Sequence, residues 1–309
     1  MKRNLAGVGI VLLFTVMLVS PKAVFNGASE GLLLWFQIIL PTLFPFILIT
    51  NLLLYTNSIH YICDALGRVL CRIFGVSREG SFAVITGFLC GYPMGAKVTA
   101  DLLETGYISE TEGKYLLSFC NNTSPVFIFN FIVWKTFGDD SLLVPSLLLL
   151  LGTPILCSFF FRRYYLQGAK KFQTIRNRQS PEKSWNFKVV DTCIMDGFET
   201  ITKVGGYIIL FSVILTLMKS MPWQPAAMQL LLPSLEMTNG IVLLGQADLP
   251  MKIVYPAVMG LTVFGGFCAI AQTQCMIQKT SLSVLHYIIE KLITAAVTSM
   301  FAFLYIQFM

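Results

Sequence analysis

Residues 87–106 read GFLCGYPMGAKVTADLLETG, an apolar stretch that no continuous helix can carry. Within Gly91-Tyr92-Pro93-Met94-Gly95-Ala96-Lys97, Pro93 removes a backbone donor and forces a break, while the glycines permit tight turning. A helix restarting near Gly95 presents free N–H groups at its positive end, a natural anion site. Lys97 falls in its first turn. Its ammonium is read in three ways: as a counter-charge for a substrate carboxylate, as an i,i+4 partner of Asp101, or as a side chain snorkelling to the cytoplasm.

The surroundings of this stretch are those of a membrane protein. Of 309 residues 55% are hydrophobic and only 12% charged, against roughly 25% charged in a typical soluble chain; mean hydropathy is +0.72. A hydrocarbon core of about 30 Å needs about 20 apolar helical residues. Runs 5–20, 31–55, 112–134, 141–161, 190–218, 253–276 and 283–308 qualify as spans. Two further runs, 81–105 and 226–247, are interrupted by Gly, Pro and charge, the second at Pro233, Glu236, Asn239 and Gly240.

Lysine and arginine placement sets orientation. Segment 162–188 carries Arg162, Arg163, Lys170, Lys171, Arg176, Arg178, Lys183 and Lys188 against Glu182 alone, and so belongs in the cytoplasm. The N-terminus, with Lys2 and Arg3, and a loop at 56–79, with Arg68, Arg72 and Arg78, belong there too. If 81–105 crossed fully, the basic segment would land outside. A re-entrant hairpin keeps it inside, places 226–247 as a hairpin from the outer face, and leaves the C-terminus outside. Non-helical backbone at membrane depth is tolerated where protein buries it or where it lines an aqueous cavity, so two opposed hairpins imply a site between them.

The halves also match in order. Span 31–55, hairpin 81–105, and spans 112–134 and 141–161 lie over span 190–218, hairpin 226–247, and spans 253–276 and 283–308. Gly95 precedes Ser124 by 29 positions and Gly240 precedes Cys268 by 28. The fold expected is an all-α polytopic inverted repeat: a signal-anchor helix and outer loop (1–30), a first repeat (31–161), a basic linker (162–189) and a second repeat (190–309). The anchor is read as uncleaved, a removed leader being the alternative. Inverted repeats with paired broken helices mark secondary transporters.

Candidate site residues sit at the breaks. Gly91, Tyr92, Pro93, Gly95 and Lys97 come from the first hairpin. Asn121, Asn122, Thr123 and Ser124 before Pro125 put four polar side chains in mid-span, more than backbone self-bonding explains. Thr238 and Asn239 come from the second hairpin, whose Glu236 either binds a coupling cation or proton or caps its helix. Gly265 and Gly266, with Gln272 beyond, offer either close helix packing or backbone contact to substrate. Asp196, Glu199 and Lys203 read as an interfacial group, as do Glu290 and Lys291. Trp35, Trp134 and Trp223 read as interface-belt residues.

Enzymatic motifs are absent: there is no G-x-S-x-G, P-loop, G-x-G-x-x-G or H-E-x-x-H. The eight cysteines form no C-x-x-C pair and read as small buried hydrophobes. No catalytic residue, metal or cofactor is expected, nor a nucleic-acid partner. The expected partners are the bilayer, a small anionic substrate, and a coupling cation or proton.

The run Gly87 to Gly106, with Cys120-Asn121-Asn122-Thr123-Ser124-Pro125, Glu236-Met237-Thr238-Asn239-Gly240, Phe264-Gly265-Gly266 and Gln272, resembles the YlbJ-like sporulation integral membrane proteins of the nucleoside-recognition (Gate) domain superfamily. The resemblance covers roughly residues 30–308. Cys268 departs from it, standing where a serine is expected. It implies a fold akin to the core of concentrative nucleoside transporters, self-association, and movement of dipicolinate, a small aromatic dicarboxylate, from mother cell toward forespore in the bacterial cytoplasmic membrane. A nucleoside carrier and a non-transporting membrane scaffold or assembly factor are the alternatives.

Overall fold

The computed structural model describes residues 2–166, 186–221 and 225–308; every regular element among them is helical. Of the basic segment, Lys170, Lys171, Arg176, Arg178, Glu182 and Lys183 lie outside the described residues, as does Trp223. Six helical runs are long and apolar enough to cross a membrane: Pro21–Tyr55, Glu110–Phe137, Asp140–Leu166, Phe187–Lys219, Met251–Ile277 and Val284–Gln307. They correspond to six of the seven expected spans; the seventh falls in α1 (Lys2–Val19).

Two expected loops are helix instead. No outer loop follows α1. With Pro21 at the first turn, where its missing N–H costs nothing, α2 (Pro21–Leu34) starts at once and runs through a π-helical stretch, Trp35–Ile39, into α3 (Leu40–Tyr55). The 56–79 segment holds α4 (Ile59–Phe74), ended by Gly75 in the left-handed region. Its pattern is helical on three sides. Ile59, Cys63, Gly67 and Phe74 are buried, Tyr61, Leu66, Val69 and Ile73 are exposed apolar residues, and His60, Asp64, Arg68 and Arg72 recur every fourth position. Asp64 pairs with Arg78.

Residues 81–105 form two short helices, α5 (Gly80–Leu89) and α6 (Met94–Glu104). At 1.5 Å per residue each is about 15 Å long, half of what a span needs. They pack on each other across a break where Gly91 has φ 91° and Tyr92-Pro93 is cis. Gly87 and Gly95 flank the same Cys120 carbonyl, which a Cβ on either would strike. Residues 226–247 fold likewise into α11 (Ala226–Leu235) and α12 (Met237–Gly245), joined at Glu236.

The run Glu110–Phe137 breaks where four polar residues precede proline. α7 (Glu110–Cys120), capped by the Ser109 hydroxyl, stops at Asn121; α8 (Pro125–Phe127) restarts with Ser124 accepting from the Phe127 N–H at 3.2 Å and becomes π-helical over Ile128–Phe137. The run Met251–Ile277 breaks at Gly265 and Gly266, both at positive φ, between α13 (Met251–Phe264) and α14 (Gly266–Ile277). Glycine alone tolerates that pair of conformations without strain. Unbroken helices α9 (Leu143–Leu166), α10 (Phe187–Lys219) and α15 (Val284–Gln307) complete the chain.

Close backbone contact fixes the outer pairs. On α2, a Cβ at Gly27 would stand 2.9 Å from the Ser212 carbonyl oxygen, and one at Gly31 2.8 Å from Ile209 Cα. Trp35, expected in an interface belt, instead donates from Nε1 to the Ile201 carbonyl at 2.9 Å and lies over Gly205 of α10. Trp134 is 53% exposed and donates to Asp140. Six of the eight cysteines are buried.

Candidate functional site

The four helix breaks meet at one place. The Tyr92 hydroxyl donates to the Val263 carbonyl at 2.6 Å, and the Tyr92 ring lies against Gly265; Gly91 abuts Ser124; Gly266 abuts Ser234 and Met237. Around this convergence is a cavity of about 330 Å³, within the size range of small-molecule sites. Polar groups on its wall include Thr42, Ser124, Asn130, Thr238 and Gln272.

Of the site residues read from sequence, the cavity collects Gly91, Tyr92, Thr123, Ser124, Glu236, Thr238, Gly265 and Gln272. Glu236 occupies the N-terminus of α12. Its two carboxylate oxygens accept from the N–H groups of Thr238 (3.0 Å) and Asn239 (2.8 Å). A carboxylate so placed is stabilised by the free donors and dipole of the helix it caps. Of the two readings of Glu236, capping is the geometry present. Gln272 donates to the Cys268 sulfur at 3.3 Å.

The other site residues are placed elsewhere. Gly95 packs on the Cys120–Asn121 backbone, Gly266 on the second hairpin, and Asn239 donates to Ser212 at 3.3 Å. Asn121 is fully buried and ties three elements together. Its Oδ1 accepts from the Ala96 N–H at 3.3 Å, and its Nδ2 donates to Thr273 (2.9 Å) and Tyr287 (3.0 Å). The Asn121 side chain thus takes up a free donor at the N-terminus of α6, beside Pro93, that a substrate anion was expected to use.

Lys97 does not line the cavity. Its ammonium donates to Asp101 at 2.7 Å and to Asn51 at 3.1 Å, the intrahelical pairing among its three readings. Lys97→Met is expected to destabilise the fold by about 1 kcal/mol, as for a partly exposed ion pair, and to leave ligand affinity at the cavity unchanged. Melting and binding measured on one preparation check both halves.

Lys291 was not expected here, and its interfacial reading is overturned. It is 1% exposed. Its ammonium donates to the Tyr92 hydroxyl at 3.1 Å and to Asn122 Oδ1 at 3.0 Å, and it lies 5.1 Å and 5.9 Å from the centres of the Tyr92 and Tyr287 rings. Glu290, also buried, accepts from the Tyr165 hydroxyl at 2.5 Å. The available signal was periodicity: Tyr287, Lys291, Thr294 and Thr298 repeat at helical spacing on one face of α15, and all four are buried. In the group Asp196, Glu199 and Lys203, Lys203 is bound to Glu199, while Asp196 accepts from the Tyr55 hydroxyl of α3.

Six apolar runs and four interrupted helices gathered about a cavity define a multi-pass integral membrane protein. The chain is similar to the sporulation integral membrane protein YlbJ of Bacillus subtilis (strain 168), with 26% identity over 95% of this chain and 80% of that protein, which supports a YlbJ-like assignment. No family model matches the chain. No solved structure matches it.

Proposed function

We propose that this protein is a carrier of a small organic anion, dipicolinate first, moving it across the cytoplasmic membrane from mother cell toward forespore by alternating access. The observation that carries this reading is the meeting of four helix breaks around one cavity of about 330 Å³. Broken helices expose polar backbone at the depth where a hydrophilic cargo must be held. The two helical pairs are read as opposed re-entrant hairpins of a Gate-like inverted repeat, with the N-terminus inside and the C-terminus outside. The relative's description as a sporulation protein supports the biological setting.

Charge favours an anion over a neutral nucleoside. The cavity's carboxylate, Glu236, is already met by two backbone donors, whereas Lys135 stands on the cavity wall and Lys291 behind Tyr92. The chain has no role for a chemical step in this reading; binding and release suffice.

Labelled dipicolinate should bind purified full-length protein saturably, and uridine should not displace it. In proteoliposomes the same protein should move the label down its gradient. Displacement by uridine would give the nucleoside reading instead. Folded protein that binds and moves neither would leave a membrane scaffold as the better account.

A further inference from the structure

A second cavity, of about 350 Å³, is lined by Lys114, Tyr164, Tyr165, His286, Tyr287 and Glu290. The two cavities lie in tandem along the broken run Glu110–Phe137. Thr111, Lys114 and Leu117 face the second; Thr123, Ser124, Phe127 and Lys135 face the first. Between them is the Asn121–Asn122 break. Tyr92 belongs to the wall of the first cavity and Tyr287 to that of the second, and the Lys291 ammonium touches or overlies both rings. Lys291, Tyr92, Tyr287 and Asn122 therefore make up the partition between two cavities.

That partition holds a buried lysine whose ammonium no carboxylate meets directly. None of the ion pairs among the described residues includes Lys291, and the adjacent Glu290 is turned to Tyr165. Two of its three N–H donors have acceptors. Both acceptors are neutral oxygens, and the aromatic faces add a modest attraction. An ammonium removed from water costs several kcal/mol unless an opposite charge meets it. An anion arriving from either cavity would supply that charge.

We propose that Lys291 is the anion-recognising charge of this protein, placed in the partition so that a carboxylate replaces the Tyr92 hydroxyl on its ammonium and, in doing so, removes one of the two hydrogen bonds that hold Tyr92 in the barrier between the cavities. The inference rests on the reading of the chain as an anion carrier and adds where the charge is read. The ligand class is a carboxylate on a small planar acid; a neutral analogue of the same shape gains nothing from the site.

Two measurements on full-length protein test it separately from that reading. The first compares dipicolinate with its neutral diamide. Wild-type protein is expected to prefer the dianion by at least about tenfold, the size of a single well-made charge contact; Lys291→Met should abolish the preference and Lys291→Arg should keep part of it. Dipicolinate binding unchanged in Lys291→Met would overturn the inference while leaving the carrier reading intact. The second places a thiol at the first cavity, Ser124→Cys, and follows its modification by anionic and cationic methanethiosulfonates by peptide mass. The anionic reagent should react faster, and Lys291→Met, or Lys291→Gln if Met impairs accumulation, should erase the difference. An anionic preference that depends on Lys291, in protein that ignores dipicolinate, would keep the inference and reject the cargo. Equal reactivity with Lys291 present would overturn the inference.

Discussion

Gly95→Val is expected to lower the melting midpoint of the purified protein by several degrees. A Cβ at this position would run into the Cys120 carbonyl and stand 2.8 Å from Asn121 Cα. Both are backbone atoms at the end of α7, so no side chain can turn aside to make room. Relief requires α6 to move off α7, and that shift would also pull the Ala96 N–H from Asn121. Overpacking of a tight site costs typically 1–3 kcal/mol, and a β-branched side chain against backbone belongs at or above the top of that range. At roughly 2–4 °C per kcal/mol, the apparent melting midpoint in detergent should fall by several degrees. Gly87→Val should behave alike, because the Gly87 Cβ would meet the same carbonyl. Gly152→Ala and Gly206→Ala are the controls: nothing lies within 4 Å of either Cβ, and alanine improves helix propensity by up to about 1 kcal/mol. Loss at Gly95 equal to that at Gly152 would show that the hairpin does not seat on Cys120.

The second large effect is expected at Asn121. Asn121→Leu keeps approximate size and removes three hydrogen bonds that join α6, α14 and α15. The hydroxyls of Thr273 and Tyr287 can turn toward each other, but the Ala96 N–H keeps no alternative. A buried polar group left unsatisfied costs about 1–3 kcal/mol, so a loss of about 2 kcal/mol is expected. The variant should melt several degrees early, yet its folded fraction should bind ligand with unchanged affinity, since Asn121 does not line the cavity. Wild-type stability with lost binding would reverse the assignment and make Asn121 a ligand contact.

The helix breaks were legible because their causes are local. Pro93, the polar run before Pro125, Glu236 and the Gly265-Gly266 pair each forbid or end a helix without help from the rest of the chain. Their convergence was legible only as an implication, since nothing in one dimension brings Tyr92 to Val263, 171 positions away. Lys291 was hidden by its neighbour: beside Glu290 near the start of an apolar run, it reads as a paired interfacial charge. Only the turn of α15 shows the two side chains going to different partners. Helix α4 was legible and misread. Its arginines drew attention to charge, and charge says which side of the membrane a segment is on, not whether it is coiled. Lys97 failed differently: sequence offered Asp101 as a partner at i+4, but Asn51, 46 positions back, was out of reach of any local argument.

The contact of α2 with α10 has a mechanical consequence. Where glycines let two helices touch main chain to main chain, as at Gly27 and Gly31, with Trp35 seated over Gly205, sliding either helix along the other would drive backbone into backbone. Small-residue seams of this kind favour one register. The pair therefore behaves as a strut, stiff along its length, against which other parts can push. On the carrier reading, the displacement of alternating access would then fall to the half-length helices, whose breaks already divide them into short levers.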